Sequence, residues 1–265
     1  MGTEDPQVGS QTVRRAMALL RLVACSQERG VRLSELVALS GLNRPTVHRL
    51  LQTLIQEGAL EQDIGSRRYL LGPEMVLLGL ARKSRHRLAV MADPYLAELA
   101  RETGDTAFLS IRHGTDSICV SRQTGHHPIQ ILSIEVGARR PLGLGVSGVA
   151  LLACLSEADC ADAVAQNERR LASHGESSQS IIHRVGEARR LGYAHAPVGL
   201  MPGTSAVSVS VPDTDGRSIG ALTITAMADR LNEKRLPIVL AAMQRGAMAL
   251  SRRAAEADIA RPERR

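Results

Sequence analysis

The stretch LSELVALSGLNRPTVHRLLQTLIQEGALEQDIGSRRYLL, residues 33–71, decides how this chain is read. It divides into a short amphipathic segment from Ser34 to Ser40, a turn at Gly41, a second helical segment and a charged hairpin. In the second segment Val47, Leu50, Leu51, Leu54 and Ile55 recur at the spacing of one helix face. Asn43 is a good N-cap, and Pro45 is tolerated in the first turn, where its missing N–H would have no partner. Gly58 ends the segment as a C′ glycine. The opposite face presents Arg44, Thr46, His48, Arg49, Gln52, Thr53 and Gln56. Arg can bond guanine O6 and N7 together, Gln can do the same at adenine, and Thr can meet a base edge or the thymine methyl.

Working outward, the first segment turns Leu36, Val37 and Leu39 inward, and Gly41 sits where helix-turn-helix units place a glycine. After Gly58, residues 59–62 and 67–70 are expected as short strands around Asp63-Ile64-Gly65-Ser66. A wing tip carrying Arg67 and Arg68 could grip phosphate or lie along the minor groove. The candidate contacts with double-stranded operator DNA are therefore Ser34, Asn43, Arg44, Pro45, Thr46, His48, Arg49, Gln52, Arg67 and Arg68.

Composition supports this. Residues 1–88 hold 13 Lys/Arg against 8 Asp/Glu, which accounts for five of the chain's six net positive charges. Phosphate neutralisation wants the excess there. Aromatics are scarce, with Phe108, Tyr69, Tyr95, Tyr193 and no Trp, so a single-strand or RNA binder built on stacking platforms is disfavoured. No apolar run reaches the roughly 20 residues of a membrane span, and the start of the chain has no signal-peptide pattern. Cys25, Cys119, Cys154 and Cys160 form no CxxC pair and are expected as reduced, mostly buried thiols of a cytoplasmic protein.

Taken together, RRAMALLRLVA (14–24), residues 33–63, RRYLLGPEMVLLGLA (67–81), PYLAELARETGDTAFLSI (94–111), RRPLGLGVSGVALLACL (139–155), LGYA (191–194) and DGRSIGALTITAMADRL (215–231) resemble the isocitrate lyase regulator (IclR) family of bacterial transcription factors. The resemblance implies a DNA-binding domain, a linker helix and an α/β effector-binding domain related to GAF and profilin-like folds. It also implies a homodimer, in some cases a homotetramer, that controls nearby metabolic genes, with repression the commoner mode.

The residues of the second half fit an α+β class. A linker helix is expected over 73–88 and an amphipathic helix over 94–103. Strand-like runs follow at 107–112, 117–122 and 129–136. Helices are expected over 147–155, 157–166 and 179–191, and late strands over 206–211 and 219–226 flank a turn at Pro212–Gly216. A long helix over 236–255 closes the chain. The expected domains are 10–72 (winged helix-turn-helix), 73–88 (linker helix), 89–257 (effector-binding, with an antiparallel sheet) and 258–265 (a frayed tail).

Three motifs in this half point to chemistry and are set aside. Gly143-x-Gly145-x-x-Gly148 mimics a dinucleotide fingerprint, but Arg139-Arg140-Pro141 separates it from the preceding strand and no alternating βαβ pattern follows. Gly145-x-Ser147-x-Val149 misses the nucleophile elbow at its last position. His126-His127 with His113 lacks further ligands for a metal. No cofactor, metal or catalytic residue is expected, and an enzyme with an accessory DNA module is the weaker alternative. A ligand-independent DNA-binding regulator is the other; it would be favoured if Leu144, Met201 and Leu222 filled the pocket.

A glycine-rich turn entering a helix exposes unpaired N–H groups at the positive end of the helix dipole, which suits a carboxylate or a polarised carbonyl. The resemblance implies that this turn and the two late strands wall an effector cavity. Carried over residue by residue, Leu144, Gly145, Val146 and Ser147 would line one side and Ala206, Thr223 and Thr225 the other. The usual family turn reads roughly P-L-H-A-T-A-L-G-K, whereas this chain has Gly143, Gly145 and Val149 at the His, Thr and Lys positions. The acidic run that commonly follows LGYA is Ala196-Pro197-Val198-Gly199. The expectation is a less polar pocket, and an aromatic or alicyclic carboxylic compound rather than a small keto-acid as effector.

Overall fold

The computed structural model describes residues 6–24, 26, 29–81, 87–199 and 201–259. The chain divides into two compact units between residues 86 and 87. In the first, helices α1 (Pro6–Ala24), α2 (Leu33–Ser40) and α3 (Arg44–Gln56) precede a hairpin of β1 (Leu60–Gln62) and β2 (Tyr69–Leu71), then α4 (Pro73–Ala81). At eight residues α2 is shorter than the ~12–15 at which isolated helices become even marginal in water, so packing must hold it. Fully buried Leu36 joins Leu19, Val47, Leu51 and Leu60 in one core.

Local chemistry sets the boundaries. Asn43 Oδ1 accepts from Thr46 N at 2.9 Å, capping α3. At the other end Gly58 takes φ +67°, with Gly58 N donating to Ile55 O and Ala59 N to Leu54 O, both at 2.9 Å. This Schellman closure needs a left-handed residue, which glycine supplies without a Cβ clash. The hairpin register pairs Leu60 with Leu71 and Gln62 with Tyr69. Val31 and Tyr69 exchange both backbone hydrogen bonds, at 3.0 and 2.8 Å, tying the wing to the segment before α2.

The second unit runs α5 (Arg87–Thr103), β3 (Thr106–His113), β4 (Asp116–Gln123), β5 (Arg139–Pro141), α6 (Gly145–Ala153), α7 (Glu157–Ala172), α8 (Ser178–Leu191), β6 (Ala194–Ala196), β7 (Thr204–Pro212), β8 (Ser218–Met227), a 3-10 turn (Ala228–Leu231) and α9 (Leu236–Ile259). The six strands form one antiparallel sheet in the order β5-β4-β3-β8-β7-β6. Alternation gives the sheet two different faces. Leu109, Val207, Val209, Leu222 and Ile224 face the core built with α5 and α9. Thr106, Phe108, Ala206, Ser208, Thr223 and Thr225 occupy the other face, on the side of α6.

Several expectations need correction. Residues 129–136 form no strand; the edge beside β4 is taken by Arg139–Pro141. Side-chain bonds hold the start of that run instead: the Gln130 amide accepts from Thr106 Oγ1 at 2.8 Å and donates to Gly104 O at 3.0 Å, and Ile129 N donates to His127 Nδ1 at 3.2 Å. The helix expected from Pro94 begins at Arg87, with Pro94 inside it. Helix α6 starts at Gly145, two residues early, and α7 runs six residues past Gln166. The second wing strand begins at Tyr69 rather than Arg67, because Asp63 Oδ1 accepts from Ser66 N and Oγ and holds the turn open to Arg67, at φ +59°. The middle of the expected linker, residues 82–86, and residues 260–265 of the expected tail lie outside the described residues, as does Cys25. Cys119, Cys154 and Cys160 are free thiols, the first and last buried and Cys154 half-buried, in line with the expectation for the described cysteines.

Candidate functional site

The first unit carries a broad surface concavity of about 830 Å³ between the start of α2, the ridge of α3 and the wing. It gathers six of the expected residues: Ser34, Arg44, Pro45, His48, Gln52 and Arg67. Arg44, His48 and Gln52 recur every four residues, so they stand in one row along the helix. All three are exposed, and none has a side-chain hydrogen bond or ion pair among the described residues. A row of unpaired donors and acceptors on a convex helix is what a base-edge reader requires. Arg49 is exposed on the neighbouring row, outside the concavity, and Thr46 is half-buried beside it. Arg32, Gln62 and Ser66 also line the concavity and are not among the residues expected from sequence.

Two expected contacts are committed elsewhere. Asn43 spends its carbonyl oxygen on the α3 cap. The two wing arginines separate: Arg67 stands exposed at the tip, while Arg68 Nη1 turns inward to Gly30 O at 2.9 Å and Glu35 at 3.6 Å. Glu35 also accepts from Arg32 N at 2.7 Å. That backbone bond, with Arg68 beside it, holds the Glu35 carboxyl below the usual carboxylate range. Arg68 therefore staples the wing to the helices.

The second unit contains a cavity of about 140 Å³ between the start of α6, the cavity-side face of β7 and β8, and the segments at 133–134 and 196–199. Gly145, Val146, Ser147, Ala206, Thr223 and Thr225 line it as expected. Leu144 does not: it precedes α6, is buried, and packs into the second core with Leu142 and Val149. Leu222 lies on the opposite face of the sheet and Met201 is exposed, so Leu144, Met201 and Leu222 leave the cavity open.

The expectation that the pocket has shed its charge is also corrected. Arg140, Arg184 and Glu176 line it, with hydroxyls from Ser133 and Thr204. Arg184 Nη2 lies 2.9 Å from Glu176 Oε1 and 3.2 Å from Gly143 O. Arg140 Nη2 donates to Ser133 O at 2.6 Å. Burial works against the charged form of Arg140 and pushes its pKa down. The signal in the sequence was the doublet Arg139-Arg140 at a strand edge: alternation sends Arg139 to Asp116, at 3.4 Å, and Arg140 to the cavity.

The glycine spacing that mimics a nucleotide fingerprint has a packing role. Gly143 takes φ +99°, and a Cβ there would sit 2.8 Å from Ile181 Cγ2; a Cβ on Gly148 would sit 2.7 Å from Gly143 N. The glycines let the turn close against α8 and against itself. Among the described residues no group of three or more His, Cys, Asp or Glu could hold a metal ion, and no helix is long and apolar enough to cross a membrane.

The IclR helix-turn-helix domain family matches residues 12–63, and the bacterial transcriptional regulator IclR C-terminal family matches residues 81–252. The chain is 34% identical over 254 residues to the glycerol operon regulatory protein of Streptomyces coelicolor, covering 91% of this chain and 95% of that one. It is 24% identical to the transcriptional repressor IclR of Escherichia coli, covering 85% and 83% of the two chains. An IclR homolog from Microbacterium hydrocarbonoxydans, solved with 4-hydroxybenzoate, shares the fold at a TM-score of 0.71 and 19% identity, covering 93% of this chain and 99% of that one. With both halves matched, this chain belongs to the IclR family of DNA-binding transcriptional regulators, which carry an effector-binding C-terminal domain.

Proposed function

We propose that the protein is a cytoplasmic repressor of a metabolic or catabolic operon, acting as a homodimer, or a pair of dimers, on a two-fold symmetric operator. The observation that carries this reading is the exposed, unpaired row Arg44–His48–Gln52 beside Arg67 on the wing. In it, residues 10–72 read DNA, the helix beginning at Pro73 links, and residues 89–257 sense the effector. Arg44, Thr46, His48, Arg49 and Gln52 approach base edges. Ser34, Asn43 and Pro45 lie against the backbone at the two helix starts, and Arg67 meets phosphate. Half-sites would lie about one helical turn apart, or a multiple of it, as the geometry of paired recognition helices demands.

A small organic effector held by Gly145, Val146, Ser147, Ala206, Thr223 and Thr225 controls the DNA-binding state. It does so through different affinities for two arrangements of the protein, the only way a ligand can shift such an equilibrium. The repressor role is supported by the Escherichia coli relative, and the metabolic target by the Streptomyces one.

The test is selection of bound fragments from the source genome, footprinted at a stated salt concentration. A shared palindrome beside a catabolic operon, with transcription rising when the gene is deleted, is the expected result. Salt-sensitive binding with no shared sequence would reduce the first unit to a basic surface and overturn the reading.

A further inference from the structure

The charged groups around the second unit's cavity do not balance. Glu176 is matched by Arg184. Arg140 has no carboxylate within ion-pair distance among the described residues, and the one acceptor its side chain meets there is Ser133 O. A guanidinium presents five N–H donors, so most of those on Arg140 are unanswered. Across the same cavity stands the Arg184 guanidinium, held by Glu176 and Gly143 O through Nη2. A desolvated cation is costly while unmatched, and an oxyanion that accepts from several N–H donors at once relieves it. The remaining lining divides into hydroxyls (Ser147, Thr204, Thr223, Thr225) and apolar groups such as Val146 and Ala206. At about 140 Å³ the space is close to the ~150 Å³ engineered cavity known to take benzene.

We propose that Arg140 and Arg184 form an oxyanion receptor in this cavity, taking the acid group of an effector no larger than a single substituted ring or a short polyol chain. The inference rests on the reading of the cavity as the effector site. Glu176 sets its strength by holding Arg184 in a neutral pair, so the receptor carries one net positive charge and selects anions over neutral compounds. Carboxylate and phosphate share the required chemistry.

The test is calorimetric titration of the full chain with benzoate and benzamide, and with glycerol 3-phosphate and glycerol. Each acid is thereby paired with a neutral counterpart. One acid is expected to bind, with its counterpart roughly tenfold to a hundredfold weaker. Binding of benzoate identifies a carboxylate, and binding of glycerol 3-phosphate a phosphate. Arg140→Gln should erase the preference without lowering the melting temperature, and Arg140→Lys should restore part of it. Glu176→Gln, which frees Arg184, should tighten the acid severalfold.

Operator affinity, measured with and without each probe, separates this inference from the reading beneath it. A neutral probe that binds as well as its acid and still moves operator affinity overturns the receptor and leaves the regulator intact. An acid that binds through Arg140 without moving operator affinity supports the receptor and overturns the regulatory reading. No acid binding at millimolar concentration, to the wild type or to Glu176→Gln, overturns the receptor.

Discussion

The two candidate sites hold their cations in opposite ways. Arg44, Arg49 and Arg67 stand in water with side chains bonded to nothing among the described residues, whereas Arg140 and Arg184 are half-buried and tethered to carbonyl oxygens. An exposed charge acts over about 8 Å at physiological ionic strength and fades with added salt. A half-buried one acts only on what fits beside it, and it weakens the fold while unmatched. The first unit's contacts with its partner should therefore be tuned by ionic strength, and the second unit's by shape and protonation.

The largest effect expected is in the second unit. Phe108 is fully buried on the cavity side of β3, between its neighbours Arg122 and Thr223. Phe108→Ala should cost about 3–5 kcal/mol, seen as loss of amide protection across β3 and β8 while α3 keeps its own. Equal loss in α3 would break the division between the units.

Next comes a pH effect that belongs to the buried side alone. Burial pushes the Cys119 thiol up to about 11, with Arg122 and Arg140 opposing more weakly. The folded state thus keeps a proton that the unfolded chain releases near pH 9. The contribution is fully present below that pH and is lost as pH rises toward 11, to a total of about 2–3 kcal/mol. Urea midpoints between pH 8 and 11, with Cys119→Ala as reference, measure it. The same alkaline decline in the alanine variant would exonerate the thiol.

The smallest effects sharpen the exposed side. Arg49→Ala should weaken operator binding by about 1–3 kcal/mol and leave random DNA nearly unchanged, while Arg67→Ala should weaken all sequences alike and lower the salt slope by about one. Fluorescence anisotropy titrations on both DNAs, at several salt concentrations, separate the two. Matching losses for Arg49 on random DNA would move it to a phosphate role.

How much of this was legible in the sequence depended on contiguity. The recognition face lies within one helix, so Val47, Leu50, Leu51 and Leu54 could be told from Arg44, His48 and Gln52 by period alone, and Asn43 and Gly58 marked its ends. The cavity draws on stretches as far apart as Ser133 and Thr225, and only those on regular elements were foreseen. The family resemblance, carried over residue by residue, supplied Ala206, Thr223 and Thr225. The sequence does not mark the pair Arg140 and Arg184 because their meeting is a tertiary event: one sits in the middle of a three-residue edge pairing, the other on α8. Arg68 was misjudged beside Arg67 for a related reason, since Gly30 is 38 residues away along the chain. The false strand at 129–136 had the right residue types, but the ladder position was occupied by Arg139–Pro141.

The alternation of β7 and β8 has one more consequence. Val207, Val209, Leu222 and Ile224 belong to the core, while Ala206, Thr223 and Thr225, their immediate neighbours in sequence, belong to the cavity. Mutation can therefore exchange one set without disturbing the other. A lineage carrying this sheet can drift from one inducer to another by single-codon steps, with each intermediate still folded. Diversification of ligand response in such a scaffold then needs no rescue by compensating change in the hydrophobic interior.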